Sequence, residues 1–278
     1  MHQRTKKYVS AVLLLIFLTS TVWLIRNLLS YGSGDNTYSD AAEIARSASV
    51  AETTGMLPLP SEPEEETAEP ILVWIPAPLA EDDSAAQQLK QTDLNTLRQI
   101  NEDVLGWIHI PGTKIDYPIL QGADNEYYLK RTWKGQRNPV GSIFLETQNS
   151  RDFTDWNTII YGHNMSDGSM FGGLEKYRKQ DYWEKHPYIY IVTDAGVQRY
   201  EIFSSYVANV DSKTYGLSFR QTQTREDFLT MALEQSQIDT GIRPAITDQI
   251  LTLSTCSGGE TTRRVIHARL PMISVEMM

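Results

Sequence analysis

Ile250-Leu-Thr-Leu-Ser-Thr-Cys256-Ser-Gly-Gly-Glu260 alternates apolar and hydroxyl side chains and then stops at a glycine pair, the pattern of a strand running out into a loop. Successive side chains on a strand point to opposite faces. Leu251, Leu253 and Thr255 therefore share one face, and Thr252, Ser254 and Cys256 share the other. The thiol is grouped with hydroxyls at the end of a strand, away from the leucines, whereas a structural cysteine belongs among the leucines.

Runs of the same kind recur on both sides. Before it lie Gly106–Ile110, Ile115–Ile119, Ser142–Leu145, Asn157–Tyr161, Tyr188–Val192 and Gln198–Val210; after it lies Arg264–Ser274. Turn residues separate them, as in Ile110-Pro-Gly-Thr113 and Asp194-Ala-Gly196. Helical spacing is confined to Leu94, Leu97, Ile100 and Val104, with Thr92 as N-cap, and to Arg225–Gln237 through Phe228, Leu229, Ala232 and Leu233. Many short strands and few helices predict a mostly β barrel or sandwich. The chain has no internal repeat.

The N-terminal third is organised differently. Tyr8–Ile25 is an uncharged apolar run close to the roughly 20 residues a helix needs to cross a bilayer. Arg4, Lys6 and Lys7 precede it, which predicts a single-pass anchor with its N-terminus inside and the rest of the chain outside. A cleaved signal peptide would have a shorter apolar core and a small-residue cleavage site, but Arg26-Asn27-Leu28 follows here. Residues 1–30 are thus read as cytoplasmic end plus anchor. Residues 31–83, rich in Ser, Glu, Pro, Ala and Thr, are read as an acidic extracellular tether that buries too little apolar surface to fold. Ile71–Ile75 interrupts that tether and is counted within it. Residues 84–278 are read as the folded domain, so a fragment starting at Ser84 is expected to carry whatever chemistry the chain has.

A net charge of −10 excludes a general nucleic-acid binder, which needs clustered Lys and Arg against phosphate. The single cysteine excludes an internal disulfide, and the face it occupies favours a reactive thiol. A thiol nucleophile needs a proton acceptor or a cation beside it. Of the five histidines, His2 precedes the anchor, His109 and His186 sit in ordinary strand and turn patterns, and His267 reads as a surface residue of the last strand. His163 differs, because Thr158-Ile-Ile-Tyr-Gly-His163 carries it off an apolar strand through a glycine into a loop. In the last strand, parity puts Arg264, Ile266, Ala268 and Leu270 toward the core and Arg263, Val265, His267 and Arg269 on the open face. Arg263 then shares a face with the end of the Cys256 strand, where a fixed guanidinium can donate to a developing oxyanion. Neither a metal nor a cofactor is called for.

Thr252-Leu-Ser-Thr-Cys256 with Arg263-Arg-Val-Ile-His-Ala268 resembles the signature of the sortases, and Tyr161-Gly-His163-Asn-Met resembles the segment bearing their catalytic histidine. The likeness extends over Leu105–Thr113, Ile115–Gln121, Asn125–Leu129 and Ser169–Leu174, and so over nearly all of residues 90–275. The Arg225–Gln237 helix is similar to one that class B sortases carry between their sixth and seventh strands. Pilin-polymerising class C members usually add a lid and a second membrane helix, and neither is visible. The resemblance implies an eight-stranded sortase-type β-barrel with N-terminal helices. It implies Cys256 as nucleophile, His163 as general acid and base, and Arg263 as oxyanion stabiliser, although Arg264 stands where the family is usually hydrophobic. It also implies Asn125, Leu129, Tyr161 and Ser254 as groove residues. The implied reaction cleaves a C-terminal sorting motif of the N-P-x-T or S/P-P-x-T kind after Thr. It then joins the surface protein to an amine of Gram-positive peptidoglycan or its lipid-linked precursor. A secreted cysteine hydrolase, a pilin polymerase and a tethered module with an incidental thiol are the alternatives.

Overall fold

A computed structural model of the 278-residue chain describes residues 2–47, 71–256 and 261–277. Side chains at 2–12, 26–31, 33, 35, 71, 256 and 277 are outside that description.

Eight strands close into a barrel in the order β2-β3-β4-β5-β8-β9-β7-β6. They are β2 (Val104–His109), β3 (Asp116–Leu120), β4 (Ile143–Leu145), β5 (Asn157–His163), β6 (Tyr188–Thr193), β7 (Gly196–Asn209), β8 (Gln249–Cys256) and β9 (Thr262–Leu270). The expected turns form: Gly112 takes a φ of +73° between β2 and β3, and Gly196 one of +106° between β6 and β7. Such values favour glycine because it lacks a Cβ. Two pairs, β3 with β4 and β5 with β8, are parallel and need long crossovers, which is where the irregular segments of the chain lie. The barrel is filled by Ile108, Ile119, Ile160, Ile191, Leu251, Leu253, Ile266 and Ala268. A second apolar layer lies outside it, where helix α5 (Thr222–Glu234) sets Phe228, Leu229 and Ala232 against Phe203, Tyr206, Ile250 and Val265. β9 is consequently buried on both faces, and the open face expected for Val265 and His267 is covered by this helix.

Local expectations are corrected at three places. Helix α3 (Leu94–Ile100) is capped by Asp93, not Thr92; the Asp93 carboxylate accepts from the Thr96 amide and hydroxyl at 3.0 and 2.6 Å, which holds its pKa below the usual range. Val104 starts β2, because the chain turns at Asn101, whose side chain accepts from the Asp103 amide at 3.1 Å. The last strand run is cut at Pro271, which has no N–H to donate. β10 (Met272–Met277) leaves the barrel there and pairs antiparallel with β1 (Ile71–Pro76).

The stretch read as tether differs at both ends from that reading. Helix α1 runs His2–Ser47, and Tyr38, Ala41 and Ala45 form a helical stripe buried against the barrel. The Trp133 indole donates to the Thr37 carbonyl at 2.8 Å, the Asp93 amide donates to the Ala45 carbonyl at 2.8 Å, and Arg46 pairs with Asp116. At the other end, Asp83 caps helix α2 (Ser84–Leu89) and accepts from Tyr190 and Arg199, each at 3.0 Å. Residues 48–70 lie outside the described residues. A fragment starting at Ser84 should therefore be less stable than one starting at Gly32. The Tyr38 ring and its hydrogen bond alone contribute about 2–4 kcal/mol. Equal urea midpoints for the two fragments would show that α1 adds nothing.

From Leu13 to Ile25 the large apolar side chains of α1 are exposed. Among the described residues no helix is long and apolar enough to cross a membrane, and the expected anchor over Tyr8–Ile25 falls partly on side chains outside the description.

Candidate active site

Three neighbouring strands end together at one mouth of the barrel. Along the parallel pair β5 and β8, Tyr161 faces Ser254, Gly162 faces Thr255 and His163 faces Cys256. Along the antiparallel pair β8 and β9, Ser254 faces Val265. The β8–β9 ladder stops at that pair, and the next β9 amide, that of Arg264, donates to the Thr255 hydroxyl at 3.0 Å. His163 and Cys256 are thus register partners, and Arg263 stands at the start of the neighbouring strand, on the face it shares with Val265. The thiol itself lies outside the described side chains.

A cleft of about 290 Å³ opens beside these residues, lined by Asn125, Leu129, Phe144, Tyr161, Val210, Tyr215, Ser254 and Arg263. One side is built on Glu146, a buried carboxylate just past β4. Its oxygens accept from Asn125 Nδ2 at 2.8 Å and from the Tyr161 hydroxyl at 2.9 Å. Asn125 Oδ1 accepts in turn from the Thr147 amide at 2.9 Å, so this amide side chain is already engaged at both ends. The opposite side is Tyr215, whose hydroxyl lies 3.0 Å from Ser254 Oγ and whose ring stacks toward Tyr161. Glu146, Phe144, Val210 and Tyr215 were missed in the sequence. Glu146 follows a strand of three residues and Tyr215 sits in a one-turn helix, so no periodicity marks either.

His163 is half-buried at the rim. Its Nε2 lies 2.6 Å from the Leu129 carbonyl. A carbonyl only accepts, so Nε2 carries a proton and the neutral ring keeps its lone pair on Nδ1. The other described histidines have different surroundings. His109 Nδ1 lies 3.1 Å from Asp116, and His186 Nδ1 lies 2.8 Å from the Pro111 carbonyl.

His267 corrects the expectation of a surface residue: it is fully buried beneath α5. Its Nδ1 lies 2.9 Å from Thr252 Oγ1, whose hydroxyl donates to Asn157 Oδ1 at 2.7 Å. The Thr252 proton is thereby used, so Nδ1 must donate, and Nε2 accepts from the Tyr206 hydroxyl at 3.0 Å. Burial away from water disfavours a second ring proton and holds the His267 pKa down to about 3 from 6.5. The unfolded chain therefore binds a proton below pH 6.5 that the folded chain refuses until about pH 3. Stability present above pH 6.5 should fall through that window by about 1.4 kcal/mol per pH unit from this residue. His267→Gln should flatten the dependence, whatever its stability at pH 7. Urea midpoints at pH 7, 6 and 5 test this, and equal slopes for the two proteins would show that the ring charges in place.

Arg264 lies on the core side of β9, the side that strand parity assigns it. It keeps the inward register of Ile266, its side chain only 4% exposed, with Nη1 donating to Gln237 Oε1 at 2.7 Å and Nη2 3.4 Å from Glu175. Those partners let a charge stay where the core would otherwise reject it. Among the described residues no cluster of His, Cys, Asp or Glu is arranged to hold a metal ion.

A sortase-domain family model matches residues 108–271. Sortase B of Listeria monocytogenes is 40% identical over 183 residues, spanning 64% of this chain and 74% of its own length. Among solved structures, a Staphylococcus aureus sortase B–substrate complex superposes with a TM-score of 0.62 at 33% identity, over 68% of this chain and 86% of that one. A Bacillus anthracis sortase B in complex with AAEK1 gives 0.67 at 30% identity, over 87% and 98%.

Proposed function

The chain belongs to the sortases, within class B, and on that premise of a cysteine transpeptidase we propose that Cys256, His163 and Arg263 carry out its acyl transfer. The observation that carries this assignment is that His163 and Cys256 are register partners at the ends of β5 and β8, while Arg263, at the start of the adjoining β9, lines the cleft beside them. The Cys256 thiolate attacks the carbonyl carbon of a Thr in a sorting motif, and the guanidinium of Arg263 donates to the tetrahedral oxyanion. The C–N bond then breaks. His163 gives the departing amine its proton from Nδ1, leaving a thioacyl-enzyme and a neutral ring whose Nε2–H stays on the Leu129 carbonyl. An incoming amine attacks the thioester, loses its proton to Nδ1 and expels the thiolate. Asn125, Leu129, Tyr161 and Ser254 line the groove for the peptide. With Asn125 tied to Glu146 and Thr147, it acts there as a fixed wall.

The acceptor amine belongs to peptidoglycan or its lipid-linked precursor. Tyr8–Ile25 anchors the protein with its N-terminus inside, supported by the flanking Arg4, Lys6 and Lys7 and by apolar side chains left exposed on α1. Holding enzyme, substrate and lipid-linked acceptor at one surface raises their effective concentration. The domain that does the chemistry comprises the last turns of α1 and the chain from β1 onward, a wider unit than residues 84–278.

Mass spectrometry of a sorting-motif peptide incubated with the protein and a glycine-based amine tests the reading. An amide product is expected. An acid product even at saturating amine would make this a hydrolase, and unchanged peptide across a motif library would overturn the assignment. Recovery of the full chain in the soluble fraction, not with membranes, would remove the anchor.

A further inference from the structure

The ring of His163 is held from behind by backbone, and that backbone is held by α1. Gly141 takes a φ of +64°, and a Cβ built on it would stand 2.7 Å from His163 Cδ2 and 2.6 Å from the Leu129 carbonyl that His163 uses. The Gly141 peptide is therefore in contact with the imidazole. Its carbonyl accepts a hydrogen bond from the Tyr38 hydroxyl at 2.5 Å, and Ser142 Oγ lies 3.0 Å from the same hydroxyl. Tyr38 reaches the other side of the histidine as well. Its ring meets Tyr117 edge-on, with centroids 5.3 Å apart. The Tyr117 hydroxyl accepts from the Met170 amide at 3.0 Å, Met170 bridges to Asn164, and the Phe171 amide donates to the His163 carbonyl at 2.9 Å. Tyr38 is buried, and its helix is fixed beside it by Trp133 on Thr37 and Lys134 on Asp40.

We propose that Tyr38 is a positioning residue for His163, so that α1 is part of the machinery that orients the acid–base group as well as the link to the N-terminus. The proposal rests on reading His163 as that group. Removing the Tyr38 hydroxyl frees the Gly141 carbonyl and lets the Gly141 peptide, and with it the imidazole, move by a fraction of an ångström. Proton transfer is sensitive to displacements of that size, whereas peptide binding in the cleft is not.

The test uses the full chain in detergent micelles, comparing wild type, Tyr38→Phe and His163→Ala for transfer of a sorting-motif peptide to triglycine across pH 5–10. Assays are run well below the unfolding midpoint of each variant. For Tyr38→Phe the expected result is a kcat lower by about tenfold, a KM within about twofold, and a displaced limb in the pH profile of kcat/KM. Nitrogen NMR of labelled histidine should show the His163 Nε2–H resonance and the titration of the ring shifted in the same variant. A lower unfolding midpoint with unchanged kcat, pH profile and ring titration would overturn the proposal by reducing Tyr38 to a packing residue. Full activity of His163→Ala would instead sink the acid–base reading, while the NMR arm still reports whether Tyr38 orients the ring. Trp133→Phe, which releases α1 at Thr37, is read in the same way if Tyr38→Phe fails to fold.

Discussion

Cys256→Ala should abolish transfer and leave the urea midpoint nearly unchanged. The acyl group has to reside on the enzyme between departure of one amine and arrival of the next, and a methyl group cannot hold it. Without a nucleophile the oxyanion donor and the cleft have no covalent intermediate to stabilise, so no partial rate is expected from the remaining residues. The fold has little to lose. β8 is held on one side by β5 from Ile250 to Cys256 and on the other by β9 as far as Ser254, and its inward weight is carried by Leu251 and Leu253. A methanethiosulfonate reagent should modify and inactivate the wild type, the mass shift being absent from the variant because the chain has no other cysteine. Transfer by the alanine variant within about tenfold of wild type would reject Cys256 as nucleophile.

The barrel was legible because its strands announce themselves through period-two alternation and glycine turns, and the Ile250–Cys256 run is the clearest example. The face of Arg263 was legible for the same reason, since parity alone sorts a strand into faces, whereas His163 read as a loop residue and its pairing with Cys256 as the last residue of β5 was not visible. What the sequence concealed was covering. Val265 and His267 read as an open face because nothing local says that Phe228 and Ala232 of α5 will lie over them. A buried neutral histidine and a solvated one have the same letter, and the difference is made by Thr252 and Tyr206 from other strands. The tether reading failed at 38–45 for a related reason. Its Ser, Gly, Asn and Asp content is that of a linker, yet Tyr38, Ala41 and Ala45 form a stripe of helical spacing that tertiary packing selects. Glu146 and Tyr215 were beyond reach altogether, because each lies outside the barrel strands and is set in the cleft by a partner distant in the chain, Asn125 for Glu146 and Ser254 for Tyr215.

Arg263→Ala should reduce turnover by about 10²–10³, the usual effect of removing one oxyanion donor, with little change in stability. Arg263 is only half-buried at the cleft, so its removal empties no enclosed space in the core. Arg263→Lys should recover only part of the loss, since an ammonium lacks the planar fork that reaches an oxygen from a fixed direction. Its neighbour should behave in the opposite way. Arg264 points inward and is almost fully enclosed with Gln237 and Glu175, so Arg264→Ala empties that space and leaves Gln237 without its donor. Glu175 is 42% exposed and can rehydrate, which limits the penalty to about 1–3 kcal/mol. Arg264→Met should lie closer to wild type in stability, because a long unbranched apolar side chain fills most of the space that alanine leaves empty. Turnover of both Arg264 variants should stay within a few-fold of wild type. The converse pattern, Arg264→Ala inactive but stable and Arg263→Ala nearly normal, would mean that Arg264 and not Arg263 serves the cleft at the start of β9, and the grouping of Arg263 with His163 and Cys256 would be lost with it.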